Sequence, residues 1–139
     1  MKKALIIYQS KTGTTQKMGK AISNFLTRKG IQADVQSVES WNKEQPVNYD
    51  YLFLGCWTKG LMIFNQHPEK QWRRLVSSIR IAENTQIALF ATYKIAIGSM
   101  FRRMRKSLNG TSTGQEPELR SKDGKLNRET ERKLMEMVN

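Results

Sequence analysis

The run Ala4-Leu5-Ile6-Ile7-Tyr8-Gln9-Ser10-Lys11-Thr12-Gly13-Thr14-Thr15-Gln16-Lys17-Met18 decides how the rest of the chain is read. It opens on apolar residues without alternation, the pattern of a strand buried on both faces of a parallel sheet. Hydroxyls at Ser10, Thr12, Thr14 and Thr15 then surround Gly13, and helical spacing begins at Met18. Strand, hydroxyl-rich turn and helix in that order aim the free N–H groups of the helix start at the turn, where they can donate to an anionic phosphate. The same residues also suit plain helix capping, so the flanking chain has to separate the two readings.

Outward from this stretch, Met18, Ile22, Phe25 and Leu26 share a face, Lys17, Lys20, Arg28 and Lys29 take the other, and Gly30 is a stop signal. Residues 31–38 alternate loosely and predict a second strand near the sheet edge; strand, helix and strand so close together imply a right-handed parallel unit. Residues 40–48 hold Trp41 and Pro46 with little periodicity. Tyr49 to Cys56 reads as a buried strand running into Trp57-Thr58-Lys59-Gly60-Leu61-Met62-Ile63-Phe64. Pro68 is expected at a first helical position, and Trp72, Leu75, Val76 and Ile79 give that helix its apolar stripe. Gln86 to Thr92 predicts a fourth strand ending at Tyr93. Ile97, Met100, Phe101, Met104 and Leu108 mark the next helix, whose other side carries Arg102, Arg103, Arg105 and Lys106.

A chain of 139 residues is expected to form a single domain, residues 1–139, with one site. Cys56 is its one cysteine, which excludes an internal disulfide and a cysteine metal cage and fits a reducing cytoplasm. The apolar run after Lys2 and Lys3 ends at Tyr8, too short for a secretory core or a bilayer span, so a cytoplasmic protein without a transmembrane segment is expected. Lys and Arg number 24 against 12 Asp and Glu, a formal charge of +12, which favours acidic partners, nucleic acid or anionic surfaces. His67 is the one histidine. No pair of carboxylates, no nucleophile with its base and no ligand cluster stands out, which leaves hydrolytic and metal chemistry without a reading here.

The spacing Ser10-x-Thr12-Gly13-x-Thr15 resembles the phosphate loop of the flavodoxins, Thr/Ser-x-Thr-Gly-x-Thr after the first strand. Tyr49-Asp50 before a buried strand, then Gly55, Cys56 and an aromatic loop, extend the resemblance, which covers most of the chain up to Leu108. It implies an α/β, flavodoxin-like three-layer fold with a parallel sheet, noncovalent flavin mononucleotide (FMN), and one-electron transfer between redox protein partners. By the same resemblance Ser10, Lys11, Thr12, Gly13, Thr14 and Thr15 hold the phosphate, and Trp57 and Tyr93 lie against the ring. Backbone groups of Cys56, Thr58, Lys59 and Gly60 reach its polar edge, with Thr92 and Lys94 completing the set. Typical flavodoxins carry acidic residues around the flavin; Lys59 and Lys94, with no Asp or Glu from Gly55 to Gln66, reverse that sign and imply a raised potential for the reduced flavin.

The last third departs from the family pattern. Residues 109–125 hold one large apolar residue, Leu119, and read as a polar irregular segment, followed by a helix over residues 127–138. The sheet is therefore expected in the order 2-1-3-4, its fifth strand absent or degenerate, leaving Ile87, Leu89 and Phe90 on an open edge through which the chain could dimerise. Two further readings stay open. A flavin-dependent oxidoreductase of the quinone reductase or protoporphyrinogen oxidase type would use Leu61, Met62, Ile63 and Phe64 as a substrate wall. A basic module would bind acidic partners or nucleic acid through Arg102, Arg103, Arg105 and Lys106.

Overall fold

The computed structural model describes residues 1–61 and 64–139, without the side-chain surroundings of residues 60, 61, 64 and 65. Strand β1 (Lys3–Gln9) leads through the hydroxyl-rich turn into helix α1 (Thr14–Arg28) and strand β2 (Gln32–Ser37). Strand β3 (Tyr51–Trp57) is followed by a short antiparallel hairpin, β4 (Lys59–Leu61) and β5 (Phe64–His67), where the sequence pattern predicts a loop. Helix α2 (Lys70–Ser78), strand β6 (Gln86–Thr92), helix α3 (Met100–Ser107), strand β7 (Glu118–Ser121) and helix α4 (Arg128–Val138) complete the chain.

Five parallel strands form one sheet in the order β2-β1-β3-β6-β7. Both faces of the inner strands are buried, which is why β1 and β3 read as continuous apolar runs. Leu5, Ile7, Leu52, Leu54 and Leu89 pack against Trp72, Leu75 and Val76 of α2 and Met100, Phe101 and Met104 of α3. Ala4, Ile6, Phe53 and Phe90 turn the other way, onto Met18, Ile22, Phe25 and Leu26 of α1 and Leu134 of α4. The result is the expected three layers. Gly55 of β3 makes room for one of these contacts, since a Cβ there would lie 2.1 Å from the Phe90 ring.

Two expectations need correction. Pro68 precedes α2 by two residues; Glu69 is its N-cap, and its carboxylate accepts the Gln71 N–H at 2.7 Å. The fifth strand is present as β7, so β6 is paired on both sides and the open edge at Ile87, Leu89 and Phe90 does not exist. That removes the premise for dimerisation through this edge. Of the two alternatives, absent or degenerate, the second describes the strand: it has four residues, and Leu119 alone supplies a large apolar side chain to the core.

What replaces apolar burial is a polar clamp. Arg105 Nε donates to Glu116 Oε1 at 3.0 Å, Nη1 pairs with the Glu118 carboxylate, and Nη2 donates to the Glu116 carbonyl oxygen at 2.7 Å. Lys133 Nζ of α4 donates to the Glu118 carbonyl oxygen at 2.9 Å. Helices on both faces thereby hold β7 against β6. No helix among the described residues is long and apolar enough to cross a membrane.

Candidate functional site

Parallel strands deliver their carboxyl ends to one edge of the sheet, and ligands bind there where the strand order reverses, here between β1 and β3. A cleft opens at that point. Lys11, Thr12, Thr14 and Thr15 line it from the turn after β1, Trp57 and Thr58 from the end of β3, and Thr92, Tyr93 and Lys94 from the end of β6.

The turn leaves backbone donors free at the start of α1. Gly13 has a φ of +98°, a left-handed conformation that glycine adopts without cost, and it caps α1 with no side-chain bond. Ser10 shapes the turn, its hydroxyl oxygen accepting the Gly13 N–H at 3.0 Å and the Gln16 N–H at 3.4 Å. The first backbone bond of the helix is Lys17 N–H to the Gly13 carbonyl, so the N–H groups of Thr14 and Thr15 have no backbone acceptor within the helix. No acidic residue sits in the first turn, which leaves the positive end of the helix dipole uncompensated.

Deeper in the cleft the hydroxyls differ in role. Thr15 and Thr92 lie with their oxygens 2.7 Å apart and both are buried, a contact that ties the β1 turn to the end of β6. The Thr58 hydroxyl oxygen is buried without a hydrogen-bond partner among the described residues, while its N–H is engaged by the Thr92 carbonyl at 2.8 Å. A buried hydroxyl at a cleft wall with its bonding unmet is a donor in position for a ligand. Trp57 and Tyr93 both contribute to the lining, and each ring carries a lysine over it: Lys11 Nζ lies 5.0 Å from the Trp57 ring and Lys122 Nζ 5.6 Å from the Tyr93 ring.

Not every expected residue comes to the cleft. Ser10 and Gly13 form the turn behind the lining. Cys56 is buried within β3, with Gln9 and Ala91 opposite it on the neighbouring strands. Burial pushes its thiol up to about 12, the Glu69 N–H donated to Sγ at 3.4 Å only partly opposing this, so it stays protonated and inert at neutral pH. Lys59 is exposed on β4 opposite His67 and outside the lining. The expectations for Met62 and Ile63 lie outside the described residues, as do the side-chain surroundings expected of Gly60, Leu61 and Phe64.

Four lining residues were missed: Gln66, Ile95, Ala96 and Lys122. Lys122 follows β7, and without that strand no pattern in the sequence could bring it to the cleft. Lys11, Lys94 and Lys122 are the cations of the lining, which contains no Asp or Glu. Of the two lysines expected there, Lys94 is among these cations and Lys59 is not.

Comparison with known proteins agrees with this geometry. Residues 5–110 match the family described as "Flavodoxin domain". A flavodoxin of Clostridium beijerinckii is 28% identical over 105 residues, covering 76% of this chain and 75% of that protein. Among solved structures, a short-chain flavodoxin associated with a non-canonical PDU bacterial microcompartment superposes with a TM-score of 0.72 at 12% identity over 100% of both chains. Two-electron reduced Megasphaera elsdenii flavodoxin gives 0.68 at 16% identity over 94% of each chain. Rubredoxin oxygen:oxidoreductase of Desulfovibrio gigas gives 0.72 at 15% identity, this chain matching over 97% of its length but spanning only 34% of that one. At such identities these structures show the fold alone. The chain belongs to the flavodoxin family, a family of flavin-binding electron-transfer proteins.

Proposed function

We propose that this chain binds FMN noncovalently in the cleft at the β1, β3 and β6 ends and carries electrons singly between protein partners. The observation that carries the reading is the hydroxyl-rich turn at the start of α1, where the Thr14 and Thr15 N–H groups have no backbone acceptor within the helix, opening into the same cleft as Trp57 and Tyr93. Thr12, Thr14 and the free N–H groups of α1 suit a phosphate, and Lys11 adds a cation beside them. Trp57 and Tyr93 offer aromatic faces to an apolar ring, and the Thr58 hydroxyl a polar contact at its edge. At about 230 Å³ the cleft is smaller than the roughly 300–1,000 Å³ that engulfs a whole small molecule. A flavin nucleotide would keep an edge at the surface, as electron exchange with another protein requires.

When bound, the flavin supplies the redox chemistry. The residues around it supply binding and field. No group of three or more His, Cys, Asp or Glu side chains suited to a metal occurs among the described residues. A cytoplasmic location belongs to the same reading, supported by the free, buried Cys56.

The test is an absorption and fluorescence titration of the purified chain with FMN, followed by stepwise photoreduction. Shifted flavin bands and quenched emission are expected, with Lys11→Gln or Thr12→Ala weakening uptake. An unchanged flavin spectrum at saturating protein rejects the proposal. Replacing Lys94 and Lys122 with Gln is expected to lower the midpoint for the second electron, measured by spectroelectrochemistry, because it removes positive charge near a ring that becomes anionic. Lys59→Gln is expected to move it less.

A further inference from the structure

Beside the cleft, α2 and α3 flank a groove with a strong and one-sided charge. Lys70, Arg73 and Arg74 line it from α2, and Arg102, Arg103 and Lys106 from α3. Their spacings, i, i+3, i+4 on the first helix and i, i+1, i+4 on the second, keep each set on one side of its helix. No carboxylate lines the groove, and none of the six forms an ion pair among the described residues. Arg105, grouped with these cations on sequence grounds, also borders the groove, but Glu116 and Glu118 hold its charge. Arg103 is half-buried, and its Nε is buried with no hydrogen-bond partner among the described residues. Six like charges over two adjacent helices repel one another, a cost that an anionic occupant would relieve.

The groove is also placed relative to the cleft. Gln66 lines the cleft, and the next two residues, His67 and Pro68, line the groove. The Ser99 hydroxyl, at the N-cap of α3, donates to the Gln66 carbonyl at 3.0 Å and fixes the start of α3 to the cleft wall. Ile95, on the cleft rim, is 59% exposed and one of two large hydrophobic side chains so exposed among the described residues. An apolar residue at a cofactor's mouth flanked by cations has the anatomy of a transient protein interface. A volume of about 1,270 Å³ exceeds the roughly 300–1,000 Å³ of small-molecule pockets, so the groove suits a macromolecular surface.

We infer that this groove docks an acidic redox protein, one carrying a cluster of carboxylates beside its own redox centre; the inference rests on the carrier reading above. Four of the six cations are arginines, whose planar forks match carboxylates two bonds at a time. Nucleic acid is the competing occupant. It is disfavoured because among the described residues no Phe, Tyr or Trp lines the groove and His67 is its one ring able to stack a base, and because a phosphate backbone has no need of a position beside the flavin.

The test uses the full chain, with and without FMN, an acidic two-iron ferredoxin as probe, and a DNA duplex in parallel. Affinity for the ferredoxin is expected to fall steeply with salt. The Arg73→Glu, Arg102→Glu, Lys106→Glu triple variant is expected to weaken it about tenfold or more at low ionic strength. The corresponding Gln triple guards against misfolding of the charge-reversed chain. Lys20→Glu with Arg28→Glu, on α1 across the sheet, is expected to leave affinity unchanged. Equal loss in the groove and α1 variants, no ferredoxin binding at low salt, or tighter binding of DNA through the same six residues would each overturn the inference. Flavin uptake is read separately from the absorption spectrum, so a failure of the carrier reading appears there and a failure of the groove appears in the binding.

Discussion

A Cβ on Gly124 would lie 2.9 Å from the Thr14 carbonyl oxygen, and the residue itself has a φ of +86°. It thus presses the loop after β7 onto the first turn of α1, the wall of the cleft. Gly124→Ala is expected to cost about 1–2 kcal/mol in backbone strain alone and, on the proposed flavin site, to weaken flavin uptake by moving Thr14. Gly30, with a φ of +82° and no heavy atom near its added Cβ, provides the comparison: Gly30→Ala carries the same kind of strain and is expected to leave flavin affinity intact. Urea unfolding and flavin titration of both variants check the pair. Two other residues set the alkaline limit of the fold. Burial pushes both the Cys56 thiol and the Tyr49 phenol up to about 12, and for Tyr49 the Asp34 carboxylate that accepts its proton at 2.9 Å acts the same way. In the unfolded chain these groups ionise nearer 9.0 and 10.0, so the folded state holds its protons more tightly. Stability is expected to be level below about pH 9 and to fall as pH rises toward 12, with Tyr49→Phe and Cys56→Ala flattening that decline.

At the scale of elements, β7 shows why one strand escapes a reading by apolar pattern. Glu118-Leu119-Arg120-Ser121 carries two charges and one large apolar residue, because an edge strand buries little and charged side chains guard it against pairing with another chain. Its attachment depends on Glu116, far from it in kind but next to it in space. Glu116 is 6% exposed and accepts from Ser112, Thr113 and Arg105. Burial alone would raise its carboxyl; the hydrogen bonds from Ser112 and Thr113 outweigh that and hold it below the usual 4.5. The stability this confers is present above that ordinary value and is lost as pH falls through the folded one. Glu116→Gln is expected to destabilise the fold by about 1–3 kcal/mol, to blunt the acid-side decline, and to speed hydrogen exchange at the Ala91 and Leu119 amides. Unchanged exchange there would show that Arg105 and Glu118 suffice to hold the strand. By contrast β1, α1, β3 and β6 were legible because each buries enough side chain to impose a period of its own.

Over the whole molecule, 24 cations face 12 carboxylates, and among the described residues only Arg105, Arg132 and Lys133 form ion pairs. The remaining positive charge repels itself, and salt screens such repulsion beyond about 10 Å at 0.1 M. The thermal midpoint is therefore expected to rise with moderate salt, where calorimetry across an ionic-strength series would show it; a fall would mean that the Arg105 clamp and other local attractions dominate. Sequence by itself determined the α/β layering, the hydroxyl-rich turn after β1 and the family, since buried strands, amphipathic helices and a Gly-centred hydroxyl turn each write a local pattern. Only the tertiary structure decided the fifth strand, the arrival of Lys122 at the cleft, the withdrawal of Arg105 from the basic surface and the joining of α2 and α3 cations in one groove. Each of those depends on which residues meet across long loops, and meeting in space leaves no period in a chain.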